Sequence, residues 1–216
     1  MKENYKNWVP KILIVGMGLA TVLSVVALII FGVCGLWVTQ IWRIILGVLF
    51  AVATVGCGSG ALTITCAKRN PKGRMVGVDR WGKDYAEFSL PLCQSNAKVE
   101  GVNNTSFQKG DATGLPFADE TFDAVTSNHV YHNITGADKQ EPLLETLRVL
   151  KKGGTFAIHD LMGKNRYGDM EVFCQKLKEM GYVEVRMIDT TNGMFMTKKE
   201  AGHLMLQGST LLVGRK

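Results

Sequence analysis

The beginning of the chain differs sharply from the rest in its pattern of apolar and polar positions. No charged residue occurs from Ile12 to Trp42, and the run from Ile12 to Val38 is almost continuously apolar. That run is longer than the roughly 20 residues that a helix needs to cross a bilayer. A cleaved signal peptide has a shorter apolar core and a small-residue cleavage site. The pattern therefore predicts a membrane segment within residues 1–45.

The number of membrane spans stays open. Gly32 to Gly35 could turn the chain, and Leu36 to Thr54 could return as a second helix. However, Ile45 to Val55 is also expected to provide the first strand of the next domain, and it cannot be both. Three lysines precede the apolar run, which favours a cytoplasmic N-terminus. A cytoplasmic domain then requires a helical hairpin.

Downstream, short apolar runs alternate with helix-compatible segments. The expected strands after the first are Gly73–Val78, Thr105–Gln108, Glu120–Ser127, Thr155–His159, Val183–Ile188 and Ser209–Val213. The expected helices are Ala61–Lys68, Tyr85–Gly101, Glu141–Leu150 and Met170–Met180. Pro91 is expected to bend the second helix or delay its start, and Lys151–Gly154 to stop the third.

This alternation predicts the fold class. It is typical of an α/β domain with a doubly wound, mostly parallel, seven-stranded (Rossmann-like) sheet. The last two strands lack a helix-length apolar crossover, so we expect them to be antiparallel neighbours. The domain is expected to occupy residues 46–216, preceded by the apolar N-terminal helical hairpin.

A glycine-rich loop directly follows the first expected strand. Gly56, Gly58 and Gly60 occupy alternate positions and permit a tight turn in which a ligand lies against the backbone. The helix that follows offers its free N–H groups and the positive end of its dipole. Such a loop alone is often only a turn. Asp79 follows Gly60 by 19 residues, where an acid at the tip of a second strand can accept hydrogen bonds from both ribose hydroxyls.

Two further polar clusters follow expected strands. Gly110-Asp111-Ala112 ends the third strand, where an acid could meet an adenine amino group. Open α/β sheets bind ligands in the crevice beyond the carboxyl ends of their strands. The polar residues placed there by the fourth strand are Asn128, His129, Tyr131, His132 and Asn133.

From about Thr54 to Lys216, these pieces in this order resemble the class I S-adenosylmethionine-dependent methyltransferases. Beside the loop and the two acids, the matching pieces are Leu115-Pro116-Phe117, Phe122–Val125 and Leu150–Gly154. The similarity is greatest to a membrane-anchored bacterial subgroup. That subgroup has an Asp-x-Trp after strand two, here Asp79-Arg80-Trp81, and a His-Asn-Ile after strand four, here His132-Asn133-Ile134.

The resemblance implies S-adenosylmethionine as the cofactor and assigns residues to it. The loop would lie under the methionine part, Asp79 would hold the ribose, and Asp111 with Ala112 would hold the adenine. Asn128 would lie near the methyl donor. The implied cofactor-binding residues are Gly56, Cys57, Gly58, Gly60, Asp79, Arg80, Asp111, Ala112 and Asn128.

Two features depart from the family pattern. The family usually has an acidic residue two positions before the first glycine, where it helps to hold the methionine ammonium group, but this chain has Thr54. The anchored relatives also carry a soluble stretch between hairpin and first strand. Here Arg43–Thr54 looks like second-helix sequence joined directly to the loop. These departures keep open an alternative, a non-catalytic cofactor-binding membrane protein.

The expected chemistry makes modest demands on side chains. The methyl donor is already activated, so alignment is the main contribution of the protein. A general base is needed only when the acceptor carries a proton to lose, and His129 and His132 are the candidate catalytic residues. We expect His159 and His203 to be structural, and Asp160 to border the acceptor pocket.

Charge and cysteine content narrow the classes of partner. The formal net charge is +6, without an arginine-rich stripe, so we do not expect nucleic-acid binding. The five cysteines show no metal-ligand spacing, so no metal site is expected. A nicotinamide-dependent oxidoreductase is disfavoured by the glycine spacing. The sequence thus predicts methyl transfer to a small or lipophilic acceptor at the cell membrane, with the catalytic domain in the cytoplasm.

Overall fold

The computed structural model describes residues 50–82, 87–136 and 138–216. All of them lie in the second of two units into which the chain divides, Val48–Lys216. The predicted membrane segment, with its hairpin, lies outside the described residues. No helix within the described ranges is long and apolar enough to cross a membrane. The domain boundary at residue 46 stays a prediction.

Strands and helices alternate along the described chain. The strands are β1 (Ala51–Val55), β2 (Arg74–Asp79), β3 (Thr105–Lys109), β4 (Phe122–Asn128), β5 (Leu150–Leu161), β6 (Val183–Asp189) and β7 (Ser209–Arg215). The helices are α1 (Ala61–Arg69), α2 (Leu90–Val99), α3 (Gln140–Arg148), α4 (Lys164–Tyr167), α5 (Met170–Glu179) and α6 (Lys198–His203). A 3₁₀ turn spans Tyr131–Asn133.

The seven strands form one mixed sheet in the order β3-β2-β1-β4-β5-β7-β6. The first five strands in this order are parallel to one another. β7 runs antiparallel to both β5 and β6. The predicted seven-stranded α/β fold is confirmed, and so is the antiparallel pairing of the last two strands.

β1 lies inside the sheet, so Ala51–Val55 form the first strand and not part of a membrane helix. Ala53 pairs with Val76 of β2 on one side and with Val125 of β4 on the other. A central parallel strand is covered on both faces, so its sequence is apolar without alternation. The same residues therefore resemble a membrane helix. The alternative that a second membrane helix continues through Thr54 is therefore wrong for Ala51–Thr54, which belong to β1.

One predicted helix start is confirmed in its delayed form, and one predicted helix end is wrong. α2 begins at Leu90, the delay expected at Pro91, because Pro91 lies in the first helical turn, where its missing N–H needs no partner. The Ser89 hydroxyl caps that helix by accepting a hydrogen bond from the Leu92 amide at 3.3 Å. α3 ends at Arg148 rather than Leu150, because Leu150 already pairs with Phe122 as the first residue of β5.

β5 extends beyond Thr155–His159 at both ends. The expected stop at Lys151–Gly154 is instead the irregular beginning of this strand, where the pairing register shifts and Gly153 has a φ of +77°. At its other end the strand continues to Leu161. This extension brings Asp160 to the edge of the sheet where β1, β2 and β4 also end.

Candidate functional site

A cavity of about 510 Å³ lies at the carboxyl ends of the parallel strands. Its volume is in the range of about 300–1,000 Å³ that is usual for small-molecule sites. The predicted site residues that line it are Gly56, Cys57, Gly58, Asp79, Arg80, Asp111, Ala112, Asn128 and His129. Gly60 and His132 do not line it. The fold therefore brings most of the predicted site to one place.

The glycine loop turns sharply between β1 and α1. Gly56, Gly58 and Gly60 have φ angles of +66°, +53° and +88°, a region that residues with a side chain rarely adopt. A Cβ on Gly56 would lie 2.2 Å from a methyl carbon of Val130, so no larger residue fits. The Gly56 amide donates to the Val78 carbonyl at 2.8 Å, which ties the loop to the end of β2.

The Asp79-Arg80-Trp81 motif holds this loop from the neighbouring strand. Asp79 accepts hydrogen bonds from the Gly58 amide and the Trp81 amide, both at 2.8 Å. The Trp81 indole donates to the Gly58 carbonyl at 2.9 Å. Each Asp79 oxygen retains a further lone pair for a ligand hydroxyl. The motif therefore shapes the loop as well as offering a carboxylate to the cavity.

Asp111 occupies the corresponding position after β3. It accepts hydrogen bonds from the amide and the hydroxyl of Thr113, at 2.9 and 2.7 Å. These two bonds lower the pKa of Asp111, and the nearby Arg80 guanidinium lowers it further. The carboxylate is thus ionised and fixed at the mouth of the cavity, next to a side chain of opposite charge.

Asn128 ends β4 on the other side of the loop, and His129 follows it. His159 fixes Asn128, because its Nδ1 lies 2.9 Å from the Asn128 side-chain oxygen and its Nε2 lies 3.0 Å from the Thr190 hydroxyl. His129 has a φ of +54°, and its amide donates to the His159 carbonyl at 2.8 Å. Burial lowers the pKa of His129, which favours the neutral imidazole.

Asp160 organises the turn that follows. Its side chain is fully buried, and it accepts hydrogen bonds from the amides of Val130, Tyr131 and Leu161 at 3.0, 2.7 and 2.6 Å. Its Oδ1 atom lies 2.5 Å from Nδ1 of His132. Burial alone would raise the pKa of Asp160, but the bond from His132 and those from the backbone lower it below the usual value.

Sequence reasoning missed several of these relationships. It assigned Asp160 only to the border of an acceptor pocket and gave Trp81 no role of its own. His159 was expected to be structural, and its two side-chain hydrogen bonds place it behind Asn128. The Asp-x-Trp spacing was the available signal for Trp81. No spacing signal exists for Asp160, which meets the 3₁₀ turn only through the pairing of β4 with β5.

Thr54 stands where the family pattern has an acid. It is buried, with its hydroxyl 3.3 Å from the hydroxyl of Thr126 on β4. This position therefore supplies a neutral cross-strand contact in place of a negative charge.

The donor set of the cavity fits a nucleoside carrying a short charged chain. A backbone loop without side chains offers close approach, and two carboxylates stand at adjacent strand tips. A Cβ on Gly58 would touch the Phe88 ring, which also lines the cavity, at 3.5 Å, so a side chain here would take up cavity space. These are the features expected of a site for S-adenosylmethionine.

Comparison with known families agrees with the fold. A family model described as a methyltransferase domain matches residues 51–205, which includes the glycine loop and both strand-tip acids. An uncharacterized methyltransferase of Schizosaccharomyces pombe is 37% identical over 105 residues, which cover 48% of this chain and 37% of the relative.

Demethylmenaquinone methyltransferases are also similar to this chain. That of Roseiflexus castenholzii is 35% identical over 103 residues, covering 48% of this chain and 39% of the relative. That of Listeria welshimeri is 30% identical over 160 residues, covering 74% of this chain and 61% of the relative. The chain thus spans between about a third and two thirds of the length of these curated relatives.

Solved structures resemble the chain in fold. The phosphoethanolamine N-methyltransferase 2 of Haemonchus contortus, in complex with S-adenosyl-L-methionine, superposes with a TM-score of 0.56 at 16% identity, covering 77% of this chain and 48% of that one. The [4+2]-cyclase SpnF gives 0.57 at 18% identity, covering 77% and 74%. Because a cyclase and a methyltransferase share this fold, these likenesses show architecture alone.

Proposed function

Because the chain belongs to the methyltransferase domain family, we propose that it transfers the methyl group of S-adenosylmethionine to a small or lipophilic acceptor at a membrane. The cofactor predicted from the sequence is confirmed by the family and its structural neighbours. The observation that carries the proposal is the convergence of the glycine loop, Asp79 and Asp111 on one cavity.

In this proposal, each wall of the cavity holds one part of the cofactor. The backbone of Gly56–Gly60 lies under the methionine part, Asp79 accepts from the ribose hydroxyls, and Asp111 with Ala112 borders the adenine. Bound S-adenosylmethionine supplies an electrophilic methyl group on a sulfonium. The protein then has to align the acceptor with that methyl group and exclude water, which provides up to about 7–11 kcal/mol of the barrier reduction.

The acceptor approaches from the side of Asn128 and His129. Asn128 is fixed by His159, and His129 presents a neutral imidazole to the cavity. Phe195 lies near His159, with ring centroids 5.6 Å apart, and it is 60% exposed although it does not line the cavity. His159 contacts Asn128, so an exposed apolar side chain lies behind this wall of the cavity, which suits a lipophilic acceptor.

The proposed membrane location rests on the sequence, and the proposed acceptor class rests on the relatives. The apolar run from Ile12 to Val38 is long enough to span a bilayer. The relatives named demethylmenaquinone methyltransferases make a quinone-like ring with an apolar tail the first acceptor to test. With the N-terminal lysines, the apolar run favours a membrane anchor and a cytoplasmic catalytic domain, as in the anchored subgroup.

The test begins with calorimetric titration of the 216-residue chain, in mild detergent, with S-adenosylmethionine. We expect Asp79→Ala to weaken binding by about tenfold or more, since hydrogen bonds to a charged group contribute about 1.5–3 kcal/mol. Asp189→Ala is the matched control. Asp189 also ends a strand and accepts from the amide two residues on, at 2.7 Å, but it does not line the cavity. Equal affinity of the chain and Asp79→Ala would overturn the site assignment.

A second candidate function is cofactor binding without catalysis. Thr54 favours it, because its hydroxyl contacts Thr126 where the family pattern places an acid near the methionine ammonium group. Transfer of a labelled methyl group to a membrane extract, followed by extraction of the lipid fraction, separates the two. Labelled product in that fraction supports the enzyme, whereas cofactor binding with no labelled product supports the second candidate.

A further inference from the structure

We propose that His129, His132 and Asp160 form a binding site for one divalent transition-metal ion, such as Zn²⁺, beside the cavity. One donor atom from each of the three residues lies within 4.8 Å of the other two. The sequence did not predict a metal site, because Asp160 lies 28 residues beyond His132 and only the β4–β5 pairing joins them.

The donor set suits such an ion. Two imidazoles and one carboxylate are ligands that Zn²⁺, Co²⁺ and Fe²⁺ accept in proteins. Asp160 is fully buried, and within the described ranges its ion-pair partner is His132. A buried carboxylate needs a compensating charge. Backbone amides and the His132 imidazole supply part of it, and a divalent ion at Oδ1 would take the place of the proton shared with His132.

An independent observation points to a missing partner. Nδ1 of His129 is buried and has no hydrogen-bond partner among the described residues. Buried polar atoms nearly always have one, and an orphan needs an explanation such as an ion. His129 also borders the cavity, whereas His132 and Asp160 do not, so the ion would lie in the wall of the cavity beside His129.

Metal binding at this site exchanges an ion for a proton. Nδ1 of His132 and Oδ1 of Asp160 are 2.5 Å apart, so a proton lies between them. On binding, the bond from this proton to its heavy atom breaks, nitrogen and oxygen each donate a lone pair to the ion, and the proton leaves to solvent. Ligand atoms around a tetrahedral Zn²⁺ ion lie about 3.3 Å apart. On binding, the distance between His132 Nδ1 and Asp160 Oδ1 would therefore lengthen from 2.5 Å, and the longest distance between donor atoms, now up to 4.8 Å, would shorten.

The chemical consequence rests on the proposed function, but the binding does not. An ion in this position would lower the pKa of an acceptor hydroxyl that reaches it from the cavity, as a Lewis acid does. As the acceptor oxygen takes the methyl group, the bond from that group to the sulfonium sulfur would break and the hydroxyl proton would pass to solvent water. In that case the two histidines act as ligands, and the acceptor class is one with a coordinating, ionisable hydroxyl.

The test is direct metal binding, with Co²⁺ as the spectroscopic probe and Zn²⁺ as the competitor. The 216-residue chain is stripped with chelator and titrated without any methyl donor. We expect one saturable site with visible d–d absorption that Zn²⁺ abolishes, and net proton release on Zn²⁺ binding in buffers of different ionisation enthalpy. His129→Gln and His132→Gln should each weaken binding by more than about tenfold.

His203→Gln is the matched control, since His203 is exposed on α6 and belongs to no group of potential ligands among the residues that the structure describes. It should bind Co²⁺ as the unaltered chain does. Calorimetry with S-adenosylmethionine on each variant shows whether the fold and the cofactor site persist. Absence of a saturable Co²⁺ site, or affinity unchanged in both His129→Gln and His132→Gln, would overturn the metal proposal even if cofactor binding is intact. A failure to bind cofactor with Co²⁺ binding intact would overturn the proposed function alone.

Discussion

The Trp81 indole N–H donates a hydrogen bond to the Gly58 carbonyl at 2.9 Å, while the Gly58 amide donates to Asp79 at 2.8 Å. Both backbone groups of the residue at the middle of the loop are thereby held by a single motif at the end of β2. Holding a binding loop in its bound shape before the ligand arrives removes part of the entropic cost of binding. The Asp-x-Trp motif therefore supports affinity without Trp81 having to touch the ligand.

Replacing Trp81 by Phe tests this support. The substitution keeps an aromatic ring but removes the N–H donor. A net hydrogen bond contributes about 0.5–1.5 kcal/mol, so we expect the Kd for S-adenosylmethionine to rise about two- to tenfold in a calorimetric titration. Phe195→Leu is the control, because Phe195 is an aromatic residue that does not line the cavity, and it should leave the Kd unchanged. Equal Kd values for the unaltered chain and Trp81→Phe would show that the loop keeps its shape without this bond.

Gly56 and Gly101 have nearly the same φ angle but different surroundings, so alanine substitutions at the two sites distinguish the cost of backbone strain from the cost of crowding. Gly56 and Gly101 have φ angles of +66° and +68°, but only Gly56 is crowded, since an added Cβ would lie 2.2 Å from Val130 and would meet nothing within 4 Å at Gly101. We expect Gly101→Ala to lower the free energy of unfolding by about 1–2 kcal/mol through backbone strain alone. Gly56→Ala should lower it by about 1–3 kcal/mol more, as overpacking does.

Urea unfolding of both variants measures the difference. A Gly56→Ala/Val130→Ala double variant should recover part of the loss, because the crowding atoms are the Val130 methyl carbons. Similar unfolding free energies for Gly56→Ala and Gly101→Ala would contradict the crowding argument.

The parts of the site that involve the backbone were predictable from the sequence. Glycines at alternate positions indicate a loop whatever their neighbours are, and Asp79 follows at a distance set by one helix and one strand. β1 was harder to assign, because a strand buried on both faces and a membrane helix share an apolar composition. Sheet pairing decided between them.

The contacts made by Asp160 could not be predicted from the sequence. Its partners are four backbone amides and one imidazole, and all but one belong to a turn that lies 28 to 30 residues earlier. Such contacts depend on strand register, and a shift of one residue would point Asp160 to the other face of the sheet. The extension of β5 to Leu161 sets this register and leaves no trace in hydrophobic patterning.

The buried hydrogen bond between Tyr131 and Thr146 gives a prediction for alkaline pH. The two hydroxyl oxygens are 2.8 Å apart, and burial raises the pKa of Tyr131 to about 12. A folded-state pKa above the unfolded value of about 10 means that stability is complete below pH 10 and is lost as the pH rises toward 12. Tyr131→Phe should therefore be less stable at neutral pH, by about 1–2 kcal/mol, and should lose less stability above pH 10.

Urea unfolding at neutral and alkaline pH measures both effects. Thr146→Val and the Tyr131→Phe/Thr146→Val double variant complete a double-mutant cycle. Once one hydroxyl is absent, removing the other should cost less unfolding free energy than it does in the unaltered chain. Parallel loss of stability above pH 10 in the unaltered chain and in Tyr131→Phe would contradict the assignment of that loss to Tyr131.

Glu145 gives the corresponding prediction for acidic pH. Its carboxylate accepts from the Leu115 amide at 2.7 Å and from the Arg148 guanidinium at 2.8 Å, while Arg148 also donates to the Phe117 carbonyl at 2.9 Å. This network fixes the Leu115-Pro116-Phe117 segment after the Asp111 turn. Hydrogen bonds from Arg148, and then the one from the Leu115 amide, lower the pKa of Glu145. Because the folded-state pKa is lowered, the stabilisation is present above the unfolded value of about 4.3 and is lost as the pH falls through the folded value.

Glu145→Gln should remove about 1–3 kcal/mol of unfolding free energy at neutral pH, because it breaks a partly buried charged network. Its stability should then fall less steeply than that of the unaltered chain as the pH drops below about 4. Glu184→Gln is the matched control, since Glu184 and Arg215 are 3.3 Å apart with side chains 67% and 50% exposed. An exposed pair of this kind contributes about 0–1 kcal/mol, so Glu184→Gln should change the unfolding free energy little at any pH.

Urea unfolding midpoints of the three proteins, measured from neutral pH to below about pH 4, test this prediction. Equal acid sensitivity of Glu145→Gln and the unaltered chain would exclude Glu145 as the source of the acid-dependent stability.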